Sequence, residues 1–217
     1  MNRAIYVNLP DVESRLLEVG LPCVEEIHAA IKNGELHRDS CTANDPRGLP
    51  GLLAWGKTVR GLRDTLAPKG WTRFEGNNLA VALDSTGTTA IAVATGDKCT
   101  GDPKRTPETK YPKGPAIAAA IEQNIIQLVQ TAFSFVEELE QAQQKPPVYT
   151  WLLLISRNKN EVHSELSLPR LITEKGHVVE WEERILLPPF PIDDESGPLN
   201  YEEENAGDDI VVEISRR

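Results

Sequence analysis

The chain has 217 residues, with 33 Asp and Glu against 23 Lys and Arg, a formal net charge of -10, and 40% hydrophobic residues. That length fits one large domain with enough apolar content to bury a core, and the acidic balance excludes a wholly basic nucleic-acid coat protein. No apolar run reaches the ~18 residues of a membrane-spanning helix, and the N-terminus lacks the apolar core and cleavage site of a secretory signal. Three widely spaced cysteines, Cys23, Cys41 and Cys99, argue against a disulfide framework and suit a reducing cytosol. The expectation is a soluble cytoplasmic protein.

After a short apolar stretch at Ala4 to Val7, the spacing of Val12, Leu16 and Val19 predicts a helix opened by Pro10-Asp11 and stopped by Gly20. A second helix is predicted from Pro22 to Asn33, with Val24, Ile27 and Ile31 as its stripe and Gly34 as its C-terminal cap. The polar run 35–50 reads as a surface loop. Leu52, Trp55, Val59, Leu62 and Leu66 then step by three and four residues, so a third helix carries all five on one face before Pro68 and Gly70 end it.

Asn78–Leu83 and Thr89–Ala94 are short apolar runs around a Gly-containing turn and read as a central hairpin. Residues 95–115 form a loop of a length that is uncommon unless functional or mobile. Pro115 opens a long helix expected to reach Gln144, with Ile117, Ile121, Ile125 and Leu128 on its main face and Ile126 widening it. It is expected to lie across the sheet as the main core element. Three strand-like runs follow at Val148–Ser156, Glu161–Leu168 and His177–Leu187. From Asp193 to Asp209 there are eight acidic residues and no Lys or Arg, so this segment carries most of the net charge; Ile210–Ile214 reads as an edge strand or a docking peptide.

The pattern predicts an α+β fold with a mostly antiparallel sheet, helices packed mainly on one face and a long central helix. Residues 1–192 read as one domain, with 1–46 its helical N-terminal part, and 193–217 as an acidic tail.

Charge segregation points to function. Across 47–73, Arg47, Lys57, Arg60, Arg63, Lys69 and Arg73 meet only Asp64, and Lys57, Arg60 and Arg63 share one side of the third helix. Such a face attracts phosphates, although a solvated helix face paired with nearby carboxylates, those of the C-terminal tail among them, is the plainer reading. The long loop adds Lys98, Lys104, Arg105, Lys110 and Lys113, and feeds a helix N-terminus able to attract anions. The two sets together are expected to form one contact surface for a protein partner, with nucleic acid a further candidate. No phosphate-binding loop or cofactor motif is present, and no cofactor is expected.

Glu161, His163 and Glu165 alternate along one predicted strand and share a face, with Glu180 and Glu182 expected opposite. Carboxylates and an imidazole so placed can hold a divalent metal and act as a general base, which makes a metal-dependent hydrolase or nuclease the alternative, with Asp84 or Asp97 assisting. The spacing is not a specific ligand pattern, and an ordinary half-buried strand explains it equally. Cys23, His28, His37 and Cys41 contain four zinc-ligating atoms without a familiar spacing. A helix-turn-helix over 11–33 is opposed by Glu25 and Glu26 on the would-be reading helix. Cys99 stands near Lys98, which would activate its thiol, but beside no histidine.

The run Gly70-Trp71-Thr72-Arg73, then Asn77-Asn78-Leu79, then Thr89 to Asp97 (TAIAVATGD) and Lys113-Gly114-Pro115 resembles a pattern in small uncharacterised bacterial proteins. The resemblance covers about residues 50–124 and brings no catalytic residues. It implies a bacterial origin and a mobile-element or phage-related setting. Together these readings favour a non-enzymatic binding or accessory protein in a nucleic-acid-handling system.

Overall fold

Apolar strands with period-two side chains need cover on both faces, and the computed structural model, which describes residues 4–76, 79–133 and 148–192, provides it. In chain order the elements are β1 (Ala4–Tyr6), α1 (Leu9–Glu18), α2 (Val24–Asp39), α3 (Leu49–Leu66), β2 (Thr72–Gly76), β3 (Leu79–Leu83), β4 (Thr89–Thr95), α4 (Pro115–Phe133), β5 (Tyr149–Arg157), β6 (Glu161–Ile172) and β7 (Val178–Pro191). The strands form one seven-stranded sheet in the order β1-β7-β6-β5-β4-β3-β2. Four of its six pairings are antiparallel; β1 with β7 and β4 with β5 are parallel. This is the expected α+β fold with a mostly antiparallel sheet. The expected continuation of α4 to Gln144 and the acidic segment 193–217 lie outside the described residues.

Helices α1, α2 and α3 cover the first face. Val12, Leu16, Ile27, Ile31, Leu62 and Leu66 form one core cluster with Ile91, Trp151, Leu153, Leu166 and Ile185. The N-terminal helices therefore share their core with the C-terminal strands. The second face is covered by α4, through Ile117, Ile121 and Ile125, and meets Ala90, Ala92, Leu152, Leu154 and Trp181 in a smaller cluster. The larger core thus belongs to α1–α3 rather than to the long helix, and Ile126, expected to be covered, is 41% exposed. Asn124 of α4 is fully buried and both donates to the carbonyl and accepts from the amide of Thr150, at 2.9 Å each, where β6 no longer pairs with β5.

Two departures from the sequence reading have simple causes. The second helix runs through Gly34 to Asp39 instead of stopping there. Gly34 faces α3 so closely that a Cβ would overlap Thr58 Oγ1 and lie 2.5 Å from the Ala54 carbonyl oxygen, so the glycine serves helix–helix approach, not a cap. The strand β2 (TRFEG) has four exposed residues of five, and a solvated edge strand carries no apolar alternation by which to be read. Prolines inside β6 and β7 are accommodated by irregular register: four residues of β7, Leu187 to Phe190 with Pro188 and Pro189 between them, span the same stretch as three of β6, Val162 to Ser164.

The 95–114 segment is fastened to the second face along its length. The Thr109 amide donates to the Val178 carbonyl, the Lys110 amide to Thr95, the Lys113 amide to Gly176 and the Trp181 indole to the Pro107 carbonyl. At its centre, Glu165 and Arg184, opposite one another's neighbours on β6 and β7, form an ion pair that is 0% and 5% exposed. Glu165 accepts from Arg184 Nη2 at 2.6 Å, Arg184 Nε at 2.9 Å, Ser167 Oγ at 2.7 Å and the Gly101 amide at 2.9 Å. Arg184 donates further to the carbonyls of Arg105 and Asp102. Gly101 reaches the carboxylate because its φ of 78° suits glycine and because a Cβ there would lie 3.1 Å from that of His163.

A charge pair buried this deeply is destabilising to break from one side, because the remaining charge is left in an apolar interior. Glu165→Ala should therefore cost about 3–5 kcal/mol in urea denaturation, with part of the loss recovered by adding Arg184→Met. A loss below about 1 kcal/mol for the single variant would contradict this role.

Candidate docking face on the third helix

The third helix keeps its expected stripe only in part. Val59, Leu62 and Leu66 are buried, whereas Leu52 is 61% and Trp55 40% exposed. The stripe runs past the sheet that should cover it: α3 packs along α2 and, among the strands, chiefly against β2, β3 and β4, toward one end of the sheet. Trp55 is nonetheless held in place, its indole N–H donating to the Val93 carbonyl at 3.1 Å.

Two open grooves flank α3. One, about 470 Å³, lies between α2 and α3 and is lined by Asn33, His37, Lys57, Arg60 and Asp64. The other, about 430 Å³, lies toward β2 and is lined by Trp55, Val59, Arg60, Arg63, Arg73 and Glu75. Arg60 and Asp64 belong to both, so α3 forms a ridge between them.

The expected cations behave differently from one another. Arg63 is a structural side chain, 18% exposed, donating to Glu75 at 2.6 Å and to the backbone carbonyls of Phe74 and Val81. It ties α3 to β2 and β3, and its charge holds the Glu75 carboxyl below the usual range. Arg60 faces Asp64 at 3.3 Å, both side chains being 68% exposed, an i, i+4 surface pair of little energetic weight. Lys57 has no ion-pair partner among the described residues; its backbone carbonyl accepts from Asn33. Lys69 pairs with Glu26 at 2.6 Å and so joins the end of α3 to the start of α2. The basic ridge is therefore Lys57 and Arg60, with Trp55 in the groove it shares with Arg60 and Leu52 exposed nearer the start of the helix.

The loop cations do not extend this ridge. The loop backbone is bonded to the second face of the sheet, whereas α3 covers the first, so the single contact surface expected from both sets is divided by the sheet. Lys98, Lys104 and Lys110 are exposed. Arg105 donates to Asp102 at 2.6 Å and to the Lys98 carbonyl. Lys113 is half-buried, and burial lowers its pKa from the ordinary lysine range.

Glu161, His163 and Glu165 do point to one face, the second, and His163 Nε2 lies 2.9 Å from Glu161 Oε1. Glu165, however, has both oxygens engaged by Arg184, Ser167 and Gly101. The expected carboxylates of the next strand are elsewhere: β7 sets Leu186 opposite Glu165, while Glu180 sits opposite Leu171 and Glu182 pairs with Arg170. Among the described residues no three His, Cys, Asp or Glu side chains are grouped as metal ligands. Cys23 and His37 stand near opposite ends of α2, ~20 Å apart at 1.5 Å per residue, so the four-ligand zinc arrangement does not assemble. The α2 helix packs into the core and along α3, not outward as a reading helix. Cys99 is also quiet: burial, then Asp97, pushes its thiol pKa up, outweighing Lys98.

The two aspartates offered as assistants are turn residues. Asp97 accepts from the amides of Cys99 and Glu108. Asp84 accepts from the amides of Thr88 and Thr89 and from the Thr86 hydroxyl, closing the β3–β4 turn. No known protein family, curated protein or solved structure matches the chain. No described helix is long and apolar enough to cross a membrane.

Burial pushes the Asp84 carboxyl up, but the hydrogen bonds from Thr86, Thr89 and Thr88 outweigh it and hold its pKa below the ordinary value. A folded-state value below the unfolded one gives stability that is present above about pH 4 and lost as pH falls through the folded value. Asp84→Asn should thus be less stable than wild type at neutral pH and lose less on acidification, as read by thermal melts from pH 7 to pH 2.5. Parallel acid limbs would contradict the assignment.

Proposed function

We propose that the protein is a non-enzymatic binding or accessory protein that docks an acidic protein segment on the α3 ridge. One observation carries the reading: the apolar stripe of α3 continues beyond its cover, leaving Leu52 and Trp55 exposed, and Trp55 lines the same groove as Arg60, with Lys57 on the other flank of the ridge. Exposed aromatic and aliphatic anchors bordered by positive charge suit a partner with apolar residues among carboxylates.

Protein is favoured over nucleic acid by the local charge balance. Asp64 and Glu75 line the same grooves as Arg60, Arg63 and Arg73, and a polyphosphate backbone would meet both signs. The charge split suits an accessory or regulatory subunit of a nucleic-acid-handling system, and the resemblance implies a bacterial, mobile-element or phage-related setting for it. The metal-dependent hydrolase finds no support in the geometry around Glu165.

The test is co-purification from the cells of origin with wild type and with Lys57→Glu/Arg60→Glu. The account predicts an acidic protein retained by wild type, released by salt and absent from the variant, whose thermal melt is unchanged because neither side chain enters the core. Equal retention by both forms would remove the reading, and retention of nucleic acid instead would transfer the ridge to that ligand.

A further inference from the structure

The sheet ends at β2, and no described element covers its outer side. Hydrogen bonding along β3 sets which groups of β2 remain free. The Asp84 amide bonds the Thr89 carbonyl, so in the antiparallel alternation Ala82 turns its backbone toward β4, while Val81 and Leu83 turn theirs toward β2. Their partners Phe74 and Thr72 therefore face inward, and the amides and carbonyls of Arg73 and Glu75 face out. Phe74 is 52% exposed and its ring lies across Gly76.

We infer that this edge pairs with the β2 edge of a second copy of the chain, antiparallel and centred on Phe74. In that register Arg73 stands opposite Glu75 of the other copy, and both have outward-facing backbone groups, as a hydrogen-bonded antiparallel pair requires. The two-fold axis repeats the pair, giving four backbone hydrogen bonds and two opposite-charge side-chain pairs. Phe74 meets its own counterpart in the close, non-hydrogen-bonded position that favours aromatic pairs.

The charge order distinguishes this edge from a protected one. Edge strands commonly resist association through like charges, which repel in any self-pairing. Arg-Phe-Glu is instead self-complementary when read antiparallel. Arg73 makes no hydrogen bond or ion pair among the described residues, so it is available for the contact, whereas Glu75 would then sit between Arg63 of its own chain and Arg73 of the other. The inference uses neither Lys57 nor Arg60, but Arg73 and Glu75 also line the groove on the β2 side of α3, so the two readings are separated by Lys57→Glu/Arg60→Glu, which should stay dimeric.

Sedimentation equilibrium of the full chain tests it. Wild type should be a dimer, and Arg73→Glu, which places like charges opposite one another twice, should raise the dimer dissociation constant by roughly tenfold or more with an unchanged melt. Mixing Arg73→Glu with Glu75→Lys should restore a dimer, because the two edges are then complementary. A monomeric wild type at high micromolar concentration overturns the inference, and so does a dimer that is indifferent to Arg73→Glu or a mixture that stays monomeric when both variants are folded.

Discussion

The Glu165–Arg184 pair determines what the rest of the molecule can offer. A seven-stranded sheet has two faces to cover, and α1–α3 supply only one cover. On the other, α4 leaves a stretch of β6 and β7 to the 95–114 segment, which is rich in Gly, Pro and charged residues and has little apolar surface of its own. Backbone carbonyls and amides replace the missing hydrophobic contact: those of Asp102, Arg105 and Gly101 close around the buried ion pair, and every donor nitrogen of Arg184 is engaged. The pair thus turns a polar loop into a cover.

The same device recurs at smaller scale around the sheet. Arg15 of α1 makes a two-pronged contact with Glu183 of β7, Arg157 of β5 reaches Glu35 and Asp39 of α2, and Arg63 of α3 reaches Glu75 of β2. Each joins a covering helix to a strand. Burial dominates at Glu35, pushing its carboxyl pKa up despite Arg157, so this contact orients α2 more than it stabilises the charge. Much of the positive charge that a sequence shows as available for ligands is in this way internal to the fold. The positive charge left at the surface of α3 is correspondingly small, Lys57 and Arg60, with Trp55 sharing a groove with Arg60.

What could be read from the residues alone follows what each element buries. The stripe of α1, the C-terminal half of the α3 stripe, the LAVAL and TAIAVA strands, and the three C-terminal strands are legible because their apolar periodicity reports the core directly, whereas Leu52 and Trp55 keep the same spacing where no described element covers them. β2 was not legible because it buries almost nothing, and Gly34 misled because a glycine that permits helix contact looks the same in sequence as one that ends a helix. The shared face of Glu161, His163 and Glu165 was correctly expected from strand geometry, but the partner of Glu165 was not, since nothing local links it to Arg184 nineteen residues later. Division of the cations between two faces likewise depends on tertiary placement of the long loop, which spacing does not encode.

Amide hydrogen exchange across 95–114 tests the central claim most directly. If the buried pair anchors this segment as a cover, the amides of Gly101, Thr109 and Lys110 should be protected to a degree comparable with β4 and β5, while the amide of exposed Lys98 should exchange freely. Uniformly fast exchange through the segment, with β4 and β5 protected, would contradict the account.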